Sequence, residues 1–347
     1  MDEPGGTGPG SDKDDETAAP PTAWRSRAYR SGELVARGFP LADLSEWLEE
    51  DDVTVWLDLP DPTPAQLDEL SDELGLHELA IEDAVHQRQR PKIDRYEGHN
   101  LLSAYAVRVD GGADLLHPIM ITAFITQRAL VTVHRGDEFP IDEVTARWDG
   151  SADLAKYGVS FLLYGLIDYI VDGYFDALQA FDDIVEELSD NIFEQASAKD
   201  NGYGLRRSFE LRRGLLTARR VITPMREVVN TLMRRDVCAM DSAMTPYFQD
   251  VYDHTLRAAE WTDNLRDLIG TIRETYLAIQ SNRMNLIMKK VTSWAAIIAV
   301  PTAVTGWYGQ NLPYPGFDSR PGFWTSTALI IGISVALYLA FRRRDWL

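Results

Sequence analysis

The sequence predicts an α+β membrane protein with an N-terminal α/β cytoplasmic domain, long stalk helices and two C-terminal transmembrane helices. Three observations carry this reading. Strand-like and helix-like runs alternate between residues 24 and 153, the strand signal stops after 153, and two uncharged apolar runs, 291–317 and 321–341, stand near the end of the chain.

Composition narrows the function classes before any element is placed. Over 347 residues, 54 Asp and Glu against 34 Lys and Arg give a formal net charge of −20, which repels nucleic-acid phosphates and disfavours that partner. With 45% hydrophobic and 25% charged residues the chain is mostly water-soluble, leaving room for a few spans. A single cysteine, Cys238, can form neither an internal disulfide nor a thiolate cluster, so a reducing, cytosolic setting is expected for the bulk of the chain. The acidity is also uneven: residues 1–200 hold 42 acidic and 15 basic side chains, residues 201–347 only 12 and 19.

Residues 1–23 are Gly, Pro, Asp and Glu with almost no apolar side chain, and are expected to form a disordered acidic tail that lacks the apolar stretch of a signal peptide. Residues 24–153 should form the α/β domain. Strands are expected at 53–59, 101–109, 119–126 and 129–134, where β-branched residues lie between turn residues, with Asp110-Gly-Gly and Gln127-Arg128 closing hairpins. Helices are expected at about 63–74 and 77–85. Residues 154–290 read as helix, interrupted near 197–204 and 239–246. The first of these helices carries eight carboxylates and no Lys or Arg between 172 and 194, the next is arginine-rich, and the two are expected to pack as a charge-complementary hairpin.

Residues 291–310 then form a first span, 311–322 an extracytoplasmic loop, 323–341 a second span and 342–347 a basic C-terminal tail. About 18 apolar helical residues, from 291 to 308, reach roughly 27 Å and cross a bilayer. Lys289 and Lys290 precede the first span and Arg342, Arg343 and Arg344 follow the second, while the loop has only Arg320 beside Asp318, so both termini are placed in the cytoplasm. From about 246 to 308 only Gly270 and Pro301 interrupt a helix, so stalk and first span should be one rod. Along it Asn285, Met288, Thr292, Ala295, Ala299 and Thr302 recur at alternating steps of three and four, a small and polar stripe flanked by large groups such as Trp294 and Ile298. Such a stripe serves either close helix packing or a water-lined pore, and two spans per chain enclose a pore only if several chains assemble.

At Tyr308-Gly309-Gln310-Asn311 the sequence resembles the CorA family of divalent-cation transport proteins, whose hallmark Gly-Met-Asn stands at the outer end of the first of two C-terminal spans. The resemblance extends through Ile81-Glu-Asp83, Gln89-Arg-Pro-Lys-Ile-Asp94, Tyr247-Phe-Gln-Asp250, Ser281-Asn-Arg-Met-Asn285 and Pro301, covering about residues 30–347. It implies a CorA-like homopentameric funnel whose stalk helices continue as the pore-lining span, with the chain itself, the lipid bilayer and divalent cations as partners.

Carried over residue by residue, Gly309, Gln310 and Asn311 would form the selectivity filter, with Asn311 as the ring at the outer mouth. Thr302 would form a polar ring below it, and Met288 with Asn285 the cytoplasmic constriction. Asp83 and Asp250, with Asp253 one turn on, would bind regulatory Mg2+ between neighbouring cytoplasmic domains, and Arg342, Arg343 and Arg344 would form a basic collar. Gln310 replaces the family's Met, and Ala299 stands where the family often has a bulky apolar residue. The implied function is Mg2+ influx across the plasma membrane, with Co2+ and Ni2+ as further ions, gated by internal Mg2+. The alternatives are a zinc transporter of the ZntB-like branch or a non-conducting membrane-anchored cation sensor. An enzyme is not expected, because the sequence has no phosphate-binding Gly loop with Lys-Ser/Thr, no His-Glu-x-x-His and no Gly-x-Ser-x-Gly.

Overall fold

The computed structural model describes residues 24–85, 89–109, 115–136, 138–194, 203–234, 237, 240–310 and 319–347, without the side chains of 192–194. The expected tail at 1–23, the turn at Asp110-Gly-Gly and Cys238 lie outside the described residues. The chain divides into two compact units.

The first unit takes the chain up to residue 184 together with 210–266. Its sheet has seven strands, β1 (Arg25–Arg30), β2 (Glu33–Arg37), β3 (Val53–Pro60), β4 (Lys92–Arg95), β5 (Asn100–Val109), β6 (Leu116–Ile125) and β7 (Ala129–His134), in the order β2-β1-β3-β7-β6-β5-β4. Neighbours are antiparallel except β3 and β7, which run parallel. All six residues of β7 and six of the eight in β3 are buried, as befits central strands covered on both faces. Strands β2 and β4 are the sheet's edges. They carry Glu33, Arg37, Lys92, Asp94 and Arg95, and such charged edges resist pairing with another sheet but weaken the strand signal in the sequence.

Alternation along β3 and β7 assigns the two faces of the sheet. Val55, Leu57, Leu59, Val131 and Val133 join one apolar core with Leu44, Leu70 and Ala80. These last come from helices α1 (Leu44–Glu49), α2 (Pro64–Leu74) and α3 (Glu78–Val85). Helix α2 starts where the sequence expects, because the Thr63 side chain accepts from the Gln66 amide, Gln66 accepts from the Thr63 amide and Pro64 occupies the first turn. It stops at Gly75, whose φ of 61° is left-handed.

The other face carries a buried polar ladder. Trp56 Nε1 donates to Thr132 Oγ1 at 3.2 Å, the Thr132 hydroxyl donates to Asp58 at 2.6 Å, and His134 Nε2 lies 3.3 Å from the Asp58 carboxylate. His134 Nδ1 lies 3.0 Å from the Gly136 carbonyl. Burial works against a charged imidazole, but with an acceptor at each ring nitrogen Asp58 and Gly136 hold its pKa above the ordinary histidine value. Over this face lie α4 (Ile141–Gly150) and α5 (Val159–Glu194). Trp148 of α4 meets Trp56 edge-on at 5.0 Å, and a Cβ at Gly165 of α5 would stand 2.4 Å from Trp148 Nε1, so only glycine lets the helix pass. The Tyr174 hydroxyl, also on α5, donates to the Tyr105 carbonyl of β5 at 2.7 Å.

Helices α6 (Tyr203–Met233) and α7 (Thr245–Tyr308) follow. In the first unit α5 packs on α7 through Tyr164 against Tyr247 and Phe248, and through Phe175 against His254 and Trp261. Between α5 and α6, Gly214 lies directly against Phe181. That contact is apolar. Asp168 and Asp172 of α5 pair with Arg147 of α4, and Arg219 of α6 pairs with Asp263 of α7. Each helix turns its apolar stripe to its neighbours, which leaves Arg212 and Arg220 on α6, like Asp183 and Glu187 on α5, exposed.

The second unit comprises residues 185–209 and 267–347, including the C-terminal part of α7 and helix α8 (Arg320–Arg343). Helix α7 runs unbroken for 64 residues through Pro301, as the lack of breakers in its sequence predicts. Both helices are long and apolar enough to cross a membrane, and in the most apolar stretch of each only 6% and 0% of the residues are buried. Core helices of a water-soluble protein bury such residues, so the apolar surface points to a lipid solvent.

Candidate functional site

The six stripe residues of α7 share one surface. Asn285, Met288, Thr292, Ala295, Ala299 and Thr302 are all exposed, whereas the less exposed positions beyond Lys290 (Ser293, Ala296, Ile297, Val300, Pro301, Val304 and Tyr308) centre on roughly the opposite side at 100° per residue, with Ala296 at the border of the stripe. On α8 the partly shielded positions Ser326, Ile330, Ser334, Leu337 and Phe341 also recur at steps of three and four. One shaded stripe on each helix is what two spans packed side by side leave, so the small and polar stripe of α7 remains available to a partner or to water. The Thr302 hydroxyl donates to the Ile298 carbonyl at 3.3 Å, which uses its proton and leaves the oxygen lone pairs as acceptors. A ring of such oxygens suits the polarised waters of a hydrated cation.

Helix α7 ends at Tyr308. The Gly309 amide donates to the Thr305 carbonyl at 2.8 Å, and a Cβ on Gly309 would come within 2.9 Å of that oxygen, so the tight exit requires glycine. Gln310 follows, exposed, with its amide 3.4 Å from the Trp307 carbonyl. Asn311 and Asp318 lie outside the described residues. At the other end of the second span Arg342, Arg343 and Arg344 are exposed, two of them in the last turn of α8, where positive charge offsets the helix dipole.

The carboxylates expected to bind regulatory Mg2+ sit in the first unit on two elements. Asp83, near the end of α3, has a side chain 29% exposed and accepts from Lys92 Nζ at 2.8 Å. Lys92 stands on edge strand β4 and also reaches Asp94 at 2.5 Å. Burial pulls the Lys92 pKa down, but the two carboxylates outweigh it and hold the pKa above the ordinary lysine value. Asp250, in the second turn of α7, is 63% exposed and lies 3.4 Å from His254 Nδ1. Asp253, also exposed, accepts from Gln249 Nε2 at 3.2 Å. Among the described residues no three His, Cys, Asp or Glu side chains converge to hold a metal ion within one chain. Partly exposed carboxylates are hard oxygen donors of the kind that Mg2+ accepts while retaining several waters. The Pro-Lys-Ile-Asp motif by itself assigns no role to Lys92 or Asp94. Nothing in their spacing from Asp83 reveals the contact, which the pairing of β4 with β5 creates.

The chain is similar to known proteins over most of its length. The chain is 29% identical over 276 residues to the cobalt/magnesium transport protein CorA of Thermotoga maritima, covering 79% of this chain and 77% of that protein. It is 21% identical over 296 residues to the zinc transport protein ZntB of Pectobacterium atrosepticum, covering 84% and 88%. The solved structure of the CorA magnesium transporter from Methanocaldococcus jannaschii superposes with a TM-score of 0.76 at 23% identity, over 93% of this chain and 98% of that one, and so shares the fold. The family described as CorA-like Mg2+ transporter protein matches residues 51–343, and the chain, a membrane protein with two candidate spans, belongs to that family.

Proposed function

We propose that the chain assembles as a homopentamer in the plasma membrane and conducts Mg2+, with Co2+ and Ni2+ as further ions, into the cytoplasm. Residues 291–310 and 323–341 are its spans, the loop at 311–322 faces outward, and residues 24–290 and 342–347 lie in the cytoplasm. The observation that carries this reading is the exposed stripe from Asn285 to Thr302, set opposite the shaded side of α7. Five such stripes around an axis would form a pore of amides, hydroxyls and small groups. A full carboxylate ring would trap a divalent ion, whereas neutral acceptors hold its waters and let it leave. The membrane potential supplies about 4.6 kcal/mol for two charges at 100 mV, so no chemical energy source is required.

Asn311 is the outer ring of the filter, flanked by Gly309 and Gln310. Regulation follows from Asp83 of one subunit facing Asp250 and Asp253 of the next. Without a cation the carboxylates repel; bound Mg2+ removes that repulsion and favours a symmetric closed state, so falling internal Mg2+ opens the pore. The alternative of a zinc transporter of the ZntB-like branch is supported by the similarity to the zinc transport protein ZntB, whereas Gln310, a hard amide donor, does not select zinc.

Cysteine scanning in a Cys238→Ser background tests the stripe. A charged, water-soluble thiol reagent should block flux through Ala295→Cys and Ala299→Cys proteins and leave Ile297→Cys and Val304→Cys proteins active. The reverse pattern would place the pore on the other face.

A further inference from the structure

The geometry points to Lys92 as a built-in competitor of the regulatory cation: its ammonium group, held on strand β4 between Asp83 and Asp94, sets how much Mg2+ is needed to occupy Asp83. The inference rests on the proposed regulatory role of Asp83 and deepens it.

Lys92 Nζ lies 2.8 Å from an oxygen of Asp83 and 2.5 Å from one of Asp94, so one positive charge bridges two carboxylates on different elements, helix α3 and strand β4. All three side chains are about a third exposed, at 30%, 29% and 36%, so the contact is neither sealed in the core nor free in solvent. A Mg2+ ion approaching Asp83 meets a carboxylate whose charge is already shared with a tethered cation. It must displace the ammonium group or bind beside it against its repulsion. The position of Asp94 matters equally, because its carboxylate gives Lys92 somewhere else to go. When Mg2+ takes Asp83, Lys92 can remain paired with Asp94 and is not left unsatisfied. The three residues therefore act as an exchange: one cation leaves Asp83 for Asp94 as another arrives.

Two substitutions should move Mg2+ binding in opposite directions. Lys92→Met removes the competitor and leaves two neighbouring carboxylates. Asp94→Asn removes the alternative acceptor and commits the ammonium group to Asp83. A partly exposed ion pair contributes up to about 1 kcal/mol, so each shift should be about three- to fivefold. Lys92→Arg keeps the charge and should stay near the parent value.

The test is a Mg2+ titration of trypsin protection on the purified full-length protein in detergent, with melting temperature recorded for each variant. The expected result is a lower half-protecting Mg2+ concentration for Lys92→Met and a higher one for Asp94→Asn. An unchanged or raised concentration for a folded Lys92→Met protein would overturn the inference and leave Lys92 a structural tie between α3 and β4. If Lys92→Met does not fold, Lys92→Gln and Asp94→Asn give the same two opposed readings. Asp83→Asn separates the two levels. If it leaves protection unchanged, the regulatory role of Asp83 fails; if it shifts protection while Lys92→Met and Asp94→Asn do not, only the role of Lys92 fails.

Discussion

Replacing Asn311 by alanine is expected to abolish Mg2+ uptake while the protein still folds and reaches the membrane. The amide oxygen is proposed to accept hydrogen bonds from the waters that Mg2+ carries, and those waters are strongly polarised by the ion. Losing one hydrogen bond to a charged partner costs about 1.5–3 kcal/mol, equivalent to roughly a 10- to 150-fold loss in the occupancy that feeds conduction. The ring would lose five such groups at once, so residual flux should fall to background. Uptake of Mg2+ into cells depleted of the ion, normalised to protein in the membrane fraction, measures it. Full uptake by Asn311→Ala would remove this residue from the filter. Gln310→Met serves as the companion variant, since it restores the hallmark residue and should keep Mg2+ flux while changing the order of ions if the second amide contributes.

The second large effect concerns regulation. Asp83→Asn and Asp250→Asn should each yield a channel that internal Mg2+ no longer closes. Each substitution removes a full negative charge from a site built on two facing carboxylates, at a cost of about 1.5–3 kcal/mol in cation binding and hence roughly a 10- to 150-fold rise in the internal Mg2+ needed for closure. The two variants differ usefully. Asp83→Asn also alters the contact with Lys92, whereas Asp250→Asn leaves that contact intact. Agreement between them therefore assigns the effect to the bridging cation and not to a disturbed α3. Current or flux at a series of internal Mg2+ concentrations measures it, and normal closure in both variants would contradict the bridging role.

The fold was legible where one physical signal dominated. Helix α2 carries its own start and stop in Thr63, Pro64, Gln66 and Gly75, and β3 and β7 announce strands through β-branched and apolar residues. The long α7 follows from a stretch between 246 and 300 with Gly270 as its one breaker, and the two spans from the missing charges. Strands β1, β2 and β4 were not legible, because RSRAYR, ELVAR and KIDR owe their strand state to sheet neighbours far along the chain, not to their own pattern. The same limit governs the site. The stripe of α7 is a property of one helix and could be counted off the sequence. The Asp83–Lys92–Asp94 cluster exists only because β4 is carried to the sheet edge beside α3. Charge totals per helix likewise do not say which side the charges occupy, so the apolar contact of Gly214 with Phe181 between α5 and α6 was not legible.

Conduction of Mg2+ down the membrane potential, under the control of internal Mg2+, can be measured outright. The most direct measurement is ion flux through the purified full-length protein in liposomes with an imposed inside-negative potential, for Mg2+, Co2+, Ni2+ and Zn2+ in turn, with and without Mg2+ inside. The account predicts Mg2+ influx that grows with the potential and is suppressed by Mg2+ on the cytoplasmic side. Absence of flux for every ion, or zinc flux that exceeds Mg2+ flux and follows a proton gradient, would contradict it.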